Sequence, residues 1–230
     1  MIKSGDVISY LEMCKVEGAN LQRGMNFHLR GGMSVILMSL RPGAPYNDRI
    51  ENEGRILIYE GHDISKNSLN ANPKLVDQPM SSPKGRLTQN GLFFKAAGKH
   101  GDNQGGGEFV KVYEKIYSGI WTYNGLFKLI DAWQEDSNDR KVFKFKLELV
   151  EDSKKIDLNS KDIDHNRIIP SSVKLEVWKR DKGKCVKCES TDNLHFDHII
   201  PYSLGGSSLT AENIQLLCAR HNIEKRDKIE

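Results

Sequence analysis

The chain has 230 residues, of which 28% are charged and 38% hydrophobic, with a net charge of +3; this composition excludes a disordered or fibrous protein. No apolar run reaches membrane-spanning length and residues 1–6 lack a signal-peptide core, so a cytoplasmic location is the default expectation. So slight a positive balance points only weakly to nucleic acid, and basic residues that meet phosphate must be gathered along one groove.

The first twenty residues match no pattern. From about residue 30 to 150 the signals are β-rich. Strands are expected at Met33–Leu40, Arg55–Tyr59, Phe109–Tyr117, Leu126–Trp133 and Val142–Val150. The last has the clearest period: Phe143, Phe145, Leu147 and Leu149 share one face, and Lys144, Lys146 and Glu148 the other. One helix is expected at Thr88–Ala97, N-capped by Thr88. The segments Lys66–Arg86 and Gly98–Gly107 read as long polar loops, where binding residues tend to sit. Residues 151–170 are charged, lack periodicity and close on Pro170, which reads as a linker. A short helix follows at Ser172–Asp181, ended by Gly183.

Cys14 stands alone, whereas Cys185, Cys188 and Cys218 cluster near the C-terminus. In a chain without secretory features that pattern points to metal, not disulfides. Cys185-x-x-Cys188 and Cys218-x-x-His221 have the spacing of two knuckles around one tetrahedral zinc. The gap between them is longer than in an ordinary zinc finger, so something is inserted.

That insert holds His195-Phe196-Asp197-His198-Ile199-Ile200-Pro201, then Gly205-Gly206 and Asn213–Leu217; Asn222 and Lys225 follow the second knuckle. Over roughly residues 172–228 this pattern resembles the HNH nuclease family with its ββα-metal fold. The resemblance implies phosphodiester hydrolysis. That reaction needs a base for water and a cation against developing negative charge. His198 suits the base, because imidazole titrates near neutrality. Asp197 is a hard oxygen ligand for a divalent ion, and the Asn222 amide oxygen can be a second. Asn213 is implied to brace the loop that orients His198. Asp197 and His198 are adjacent, so both reach one phosphate only if the strand ends or twists there. Two readings of His221 stay open: it completes a Cys3His structural zinc while Asn222 holds the catalytic ion, or it holds the catalytic ion itself. A purely structural or DNA-binding zinc ribbon is the blander alternative. His195 reads as a strand-surface residue, and Lys225 as a phosphate contact or a solvated lysine.

In the N-terminal part, Ser34–Met38, Tyr46-Asn47-Asp48, Ile58–Asp63, Asp77-Gln78-Pro79, Leu87-Thr88-x-Asn90-Gly91, Val110-x-Val112 and Tyr123-x-Gly125–Lys128 stand in the order seen in SRA domains. The segment 22–150 is similar to that family, which flips a modified cytosine out of the duplex. A flipped base needs stacking surfaces and polar partners for its edge. The resemblance implies that Tyr46 and Tyr59 form the sandwich and that Asp48 accepts from the exocyclic amine, with Glu60 as the fallback acceptor. Backbone near Ser39 and Leu40 is implied on the methyl side. Taken singly, either tyrosine reads better as a core aromatic.

The expected architecture is therefore α+β: a mostly-β, SRA-like barrel domain (1–150), a linker (151–170) and a small ββα-metal HNH domain on a structural zinc (171–230). The expected function is cleavage of double-stranded DNA containing 5-methyl- or 5-hydroxymethylcytosine. Zn²⁺ is the structural ion, and Mg²⁺, Mn²⁺ or another divalent transition metal the catalytic one. A homodimer is expected, since one site cuts one strand. The alternatives are an HNH nuclease that reads unmodified DNA and a modified-DNA binding protein with weak nuclease activity.

Overall fold

The computed structural model describes residues 2–65, 72–101, 107–150, 168–201, 204–226 and 228–229. Most of the expected linker, 151–167, lies outside the described residues, as do parts of both expected loops.

Ten strands and four α-helices are described: β1 Val7–Ser9, α1 Tyr10–Glu17, β2 Met25–Asn26, β3 Ser34–Met38, β4 Arg49–Glu51, β5 Ile56–Glu60, α2 Gln89–Gly101, β6 Phe109–Tyr117, β7 Ile120–Ser137, β8 Arg140–Leu149, α3 Ser171–Arg180, β9 Leu194–His198, β10 Ile214–Cys218 and α4 Ala219–Lys225. The first eight strands form one sheet in the order β2-β3-β6-β7-β8-β5-β4, with β1 pairing the start of β7. All its pairings are antiparallel except β3 with β6. The register slips between Val112 and Tyr113, between Lys115 and Tyr117, and between Leu129 and Asp131. Such bulges bend a strand, and so the long β7 pairs β6 with its first half and β8 with its second.

Alternation along the strands fills two cores. Ile36, Val112, Phe127, Phe143, Phe145 and Leu147 pack with Phe93 and Ala97 of α2. On the other side Val35, Tyr113, Trp121 and Tyr123 pack with Met13 of α1 and with Leu21. Thr88 is the N-cap of α2, its hydroxyl accepting from Gly91 N at 3.2 Å. The helix runs a turn beyond its expected end, through residues read as loop. α1 lies in the segment where no pattern was found, and it starts with a capping box in which Ser9 and Glu12 exchange hydrogen bonds.

β8 keeps its expected period with one correction: Lys144, expected on the exposed face, is 2% exposed. Its ammonium is held 2.9 Å from the buried Glu60 carboxylate. A buried cation persists only with such a partner.

The C-terminal part is a β9–β10 hairpin with α4 and α3 packed on it. Ile168 belongs to the core under α2, whereas its neighbour Ile169 joins Val173, Val177, Leu194, Phe196, Leu216 and Leu217 in a third core. Val7 of β1 packs against this third core. Gly5 O accepts from Phe196 N at 3.3 Å, and Asp6 Oδ1 meets His195 Nδ1 at 2.6 Å. The N-terminal segment therefore touches both sheets. Among the described residues no helix is long and apolar enough to cross a membrane.

Candidate functional site

The hairpin brings the four metal-type side chains together. The ligand atoms of Cys185, Cys188, Cys218 and His221 all lie within 4.8 Å of one another. Cys188 and Cys218 sulfurs are 3.8 Å apart, and His221 Nδ1 is 3.4 Å from both Cys185 and Cys218 sulfurs. Zn–S bonds of about 2.3 Å at tetrahedral angles put two sulfurs about 3.8 Å apart, so the donor set could hold zinc. Burial pushes the Cys185 thiol up, but backbone N–H donors from Cys218, Lys187 and Cys188 and the His221 ring outweigh it and bring it down to about 6. Of the two readings of His221, the geometry places it inside the cysteine cluster.

His198 is the last residue of β9, so the strand ends at the point where the sequence required a break. Its Nε2 lies 2.8 Å from the buried Ser208 hydroxyl. Asn213 ties this loop together. Its Oδ1 accepts from Ile200 N (2.8 Å), and its Nδ2 donates to Ile200 O and Ser207 O (both 3.0 Å). Gly206 is required here by space, because a Cβ would come within 1.8 Å of Ile200 O. Ser207, and with it Ser208, is thus pinned beside His198 by Asn213.

Lys225 corrects the sequence reading. It is 1% exposed, neither solvated nor free to reach phosphate. Its Nζ donates to His198 O at 2.6 Å and lies 3.1 Å from Asp197 Oδ2. Gln215 donates to the same Asp197 oxygen at 3.4 Å. Asn222 lines a cavity together with Asp6 and His195. His195, expected on the strand surface, is half-buried and hydrogen-bonded to Asp6.

The second constellation surrounds a cavity of about 690 Å³ on the large sheet, lined among others by Arg23, Gly24, Ser39, Arg41, Tyr46, Asp48, Tyr59 and His62. Asp48 accepts from Glu60 N at 3.0 Å and from Ser39 N at 3.4 Å. Burial pushes its carboxyl up to about 7, against those two backbone donors. Glu60 belongs elsewhere: it is 2% exposed, bound to Lys144 and 3.5 Å from Arg140, and does not line the cavity. Tyr46 and Tyr59 both line it, but among the described ring contacts they do not meet. His62 touches both, stacked on Tyr46 at 5.7 Å and tilted on Tyr59 at 6.4 Å. Its Nε2 is 3.3 Å from the Tyr59 hydroxyl, and burial brings its pKa down to about 4, which keeps the ring neutral. Lys74 Nζ sits 4.2 Å from the centre of the Tyr46 ring. A Cβ on Gly24 would fall 2.5 Å from the Tyr59 hydroxyl and 2.8 Å from His62. The bare backbone at residue 24 is what leaves room for those two polar ends.

Two buried amides hold this wall in place. Asn90 exchanges hydrogen bonds with His62 N and O (2.8 and 2.9 Å). Gln78 donates to Gly61 O and accepts from Phe143 N. Sequence reasoning missed three functional candidates, Ser208, His62 and the buried role of Lys225. His62 and Lys225 carried a signal, each as part of a quoted motif, whereas Ser208 carried none.

Residues 184–230 match the HNH endonuclease family model. No curated protein matches the chain. Among solved structures, it is similar to a complex of the SUVH5 SRA domain with methylated CHH DNA (23% identity, TM-score 0.45, covering 65% of this chain and 89% of that one). It is similar to the same domain with fully hydroxymethylated CG DNA (22% identity, TM-score 0.45, the same coverage). KRYPTONITE in complex with mCHH DNA, H3(1-15) peptide and SAH is a further likeness (19% identity, TM-score 0.45, 66% of this chain and 32% of that one).

Proposed function

We propose that the chain is a modification-dependent DNA endonuclease: residues 1–150 read a flipped modified cytosine, and residues 171–230, after a linker at 151–170, cut the backbone. The observation that carries this reading is a cavity of about 690 Å³, with aromatic walls and a buried carboxyl, on the same chain as a match to the HNH endonuclease family. Tyr46 and Tyr59 supply the walls, and Asp48 accepts from the 4-amine. Glu60 drops out as the alternative acceptor because Lys144 and Arg140 already hold its carboxylate. The neighbouring SRA structures that hold methylated DNA support the same assignment.

In cleavage, His198 takes the proton of the attacking water. Ser208 fixes its ring, and Asn213 fixes Ser208 through Ser207. Asp197 and Asn222 are the residues that would hold a catalytic divalent ion such as Mg²⁺ or Mn²⁺. When bound, that ion stabilises the charge on phosphate and leaving oxygen. Lys225, 3.1 Å from Asp197 Oδ2, holds that side chain in place. Cys185, Cys188, Cys218 and His221 hold a structural Zn²⁺. A double-strand break needs two such sites, hence a homodimer on DNA, and the target is foreign modified DNA in the cytoplasm.

The test is digestion of duplexes that are identical except for cytosine, 5-methylcytosine or 5-hydroxymethylcytosine at one site, with a divalent ion present and His198→Ala as control. Cleavage confined to modified duplexes, and lost in His198→Ala, is the expected result. Equal cleavage of all three would favour a nuclease that reads unmodified DNA, and no cleavage of any would leave a binding protein.

A further inference from the structure

Four described side-chain atoms are buried without a hydrogen-bond partner, and two of them, Ser39 Oγ and Arg41 Nε, belong to residues that line the same cavity as Asp48 and Tyr46. A buried polar atom left unpaired costs free energy, and native proteins retain few of them without a purpose. Two on residues of one cavity wall point to a ligand that satisfies both.

Their chemistry restricts that ligand. Arg41 Nε–H can only donate, whereas the Ser39 hydroxyl donates one proton and accepts in return. Their position restricts it further. Ser39 N donates to Asp48 Oδ2, so Ser39 adjoins the carboxyl that takes the cytosine 4-amine. The ring neighbours of that amine are N3 and C5. N3 offers one lone pair to one donor and has no proton to return. A hydroxyl carried on C5 has two lone pairs and one proton, enough for both side chains. A methyl group at C5 would cover both polar atoms and satisfy neither.

Resting on the reading of this cavity as a flipped-cytosine pocket, we propose that Ser39 and Arg41 select cytosines whose 5-substituent carries a hydroxyl, so that 5-hydroxymethylcytosine is preferred over 5-methylcytosine. The two side chains recognise the substituent, while Asp48 recognises the base.

The experiment is a binding titration at fixed salt on duplexes that differ only in one cytosine, 5-methylcytosine or 5-hydroxymethylcytosine. It uses the full chain, Ser39→Ala and Arg41→Met, with folding of each variant checked by its melting curve. The wild-type chain should bind the hydroxymethylated duplex roughly tenfold or more tightly than the methylated one, the worth of one to two good hydrogen bonds. Each variant should bring that ratio towards one. Equal affinity of the wild-type chain for the two modified duplexes, both above unmodified DNA, overturns this proposal and leaves the flipped-base reading standing. Variants that weaken both affinities at a preserved ratio also overturn it, placing the two side chains on N3, O2 or phosphate instead. Equal affinity for all three duplexes removes the pocket reading and this proposal with it.

Discussion

Lys174 of α3 places its ammonium 2.8 Å from the Glu114 carboxylate of β6, with both side chains about 1–2% exposed. Asn124 closes the group, accepting from Lys174 at 2.8 Å and donating to Glu114 at 3.0 Å. Its amide also reaches the sulfur of Met38, which lines the cavity of about 690 Å³. A buried charge pair thus joins α3 to a residue of the cavity wall.

Removing one partner strands the other's charge. Lys174→Met should therefore destabilise the protein by about 3–5 kcal/mol, read as a lower denaturant midpoint. Lys174→Met combined with Glu114→Gln should recover part of that loss. A double variant no better than the sum of the two single ones would show that the pair is not energetically coupled.

Asp48 gives a pH prediction. Its folded pKa of about 7 lies above the ordinary 3.8, so between those values the folded protein keeps a proton that the unfolded chain releases. The stability from this group is complete below pH 4 and is lost as pH rises to about 7. The protonated carboxyl also offers a donor beside an acceptor, matching N3 and the 4-amine of cytosine. Asp48→Asn, which has the same donor–acceptor pair at every pH, should bind modified DNA with a flatter pH profile than the wild-type chain between pH 5 and 8. Its melting temperature should gain on the wild type as pH rises. Parallel profiles for the two proteins would contradict a proton on Asp48.

Cys185 and Cys218 of the cluster belong to the small third core, so a bound metal would contribute directly to folding there. Elemental analysis should find about one tightly held zinc per chain. Cys185→Ser should lose it together with the cooperative unfolding of the C-terminal region. His221→Cys should keep both, since a fourth thiolate serves a tetrahedral zinc equally well. Loss of activity at full zinc content in His221→Cys would instead place His221 on the catalytic ion.

His198→Ala should lower the cleavage rate on the order of 100-fold or more while modified-DNA binding stays near wild type. Lys225→Met should also lower kcat, because Asp197 loses its cation and His198 O loses its donor. A wild-type kcat in Lys225→Met would confine that lysine to packing.

Tyr46 is half of the proposed stacking surface, and stacking on an aromatic ring is worth roughly 1–3 kcal/mol per base. Tyr46→Ala should weaken binding of modified duplex by about 5- to 150-fold, with little change for unmodified DNA. An unchanged ratio between the two DNAs would remove the pocket from this face of the sheet.

What the sequence disclosed was local. The period of β8, the capping of α2 by Thr88 and the two metal knuckles each depend on residues a few positions apart. Ser9-x-x-Glu12 was equally local, a capping-box signal left unread. What it hid depends on partners far along the chain. Lys144 alternates like an exposed lysine, and only Glu60, 84 residues away, accounts for its burial. Lys225 looks like a helix-surface lysine until the β9 turn places His198 O above it. The full length of β7 was masked because its bulges break the period that marks a strand.

The N-terminal segment has a mechanical meaning. Residues 5–9 run from Phe196 and His195 of the nuclease hairpin directly into the strand that pairs β7. A nuclease held only by a tether would sample many phosphates and leave ragged ends. Under the proposed function, one clamped at this seam as well would act as a ruler, with the offset from read base to broken bond set by the protein's own span, and its products should carry ends of a single length.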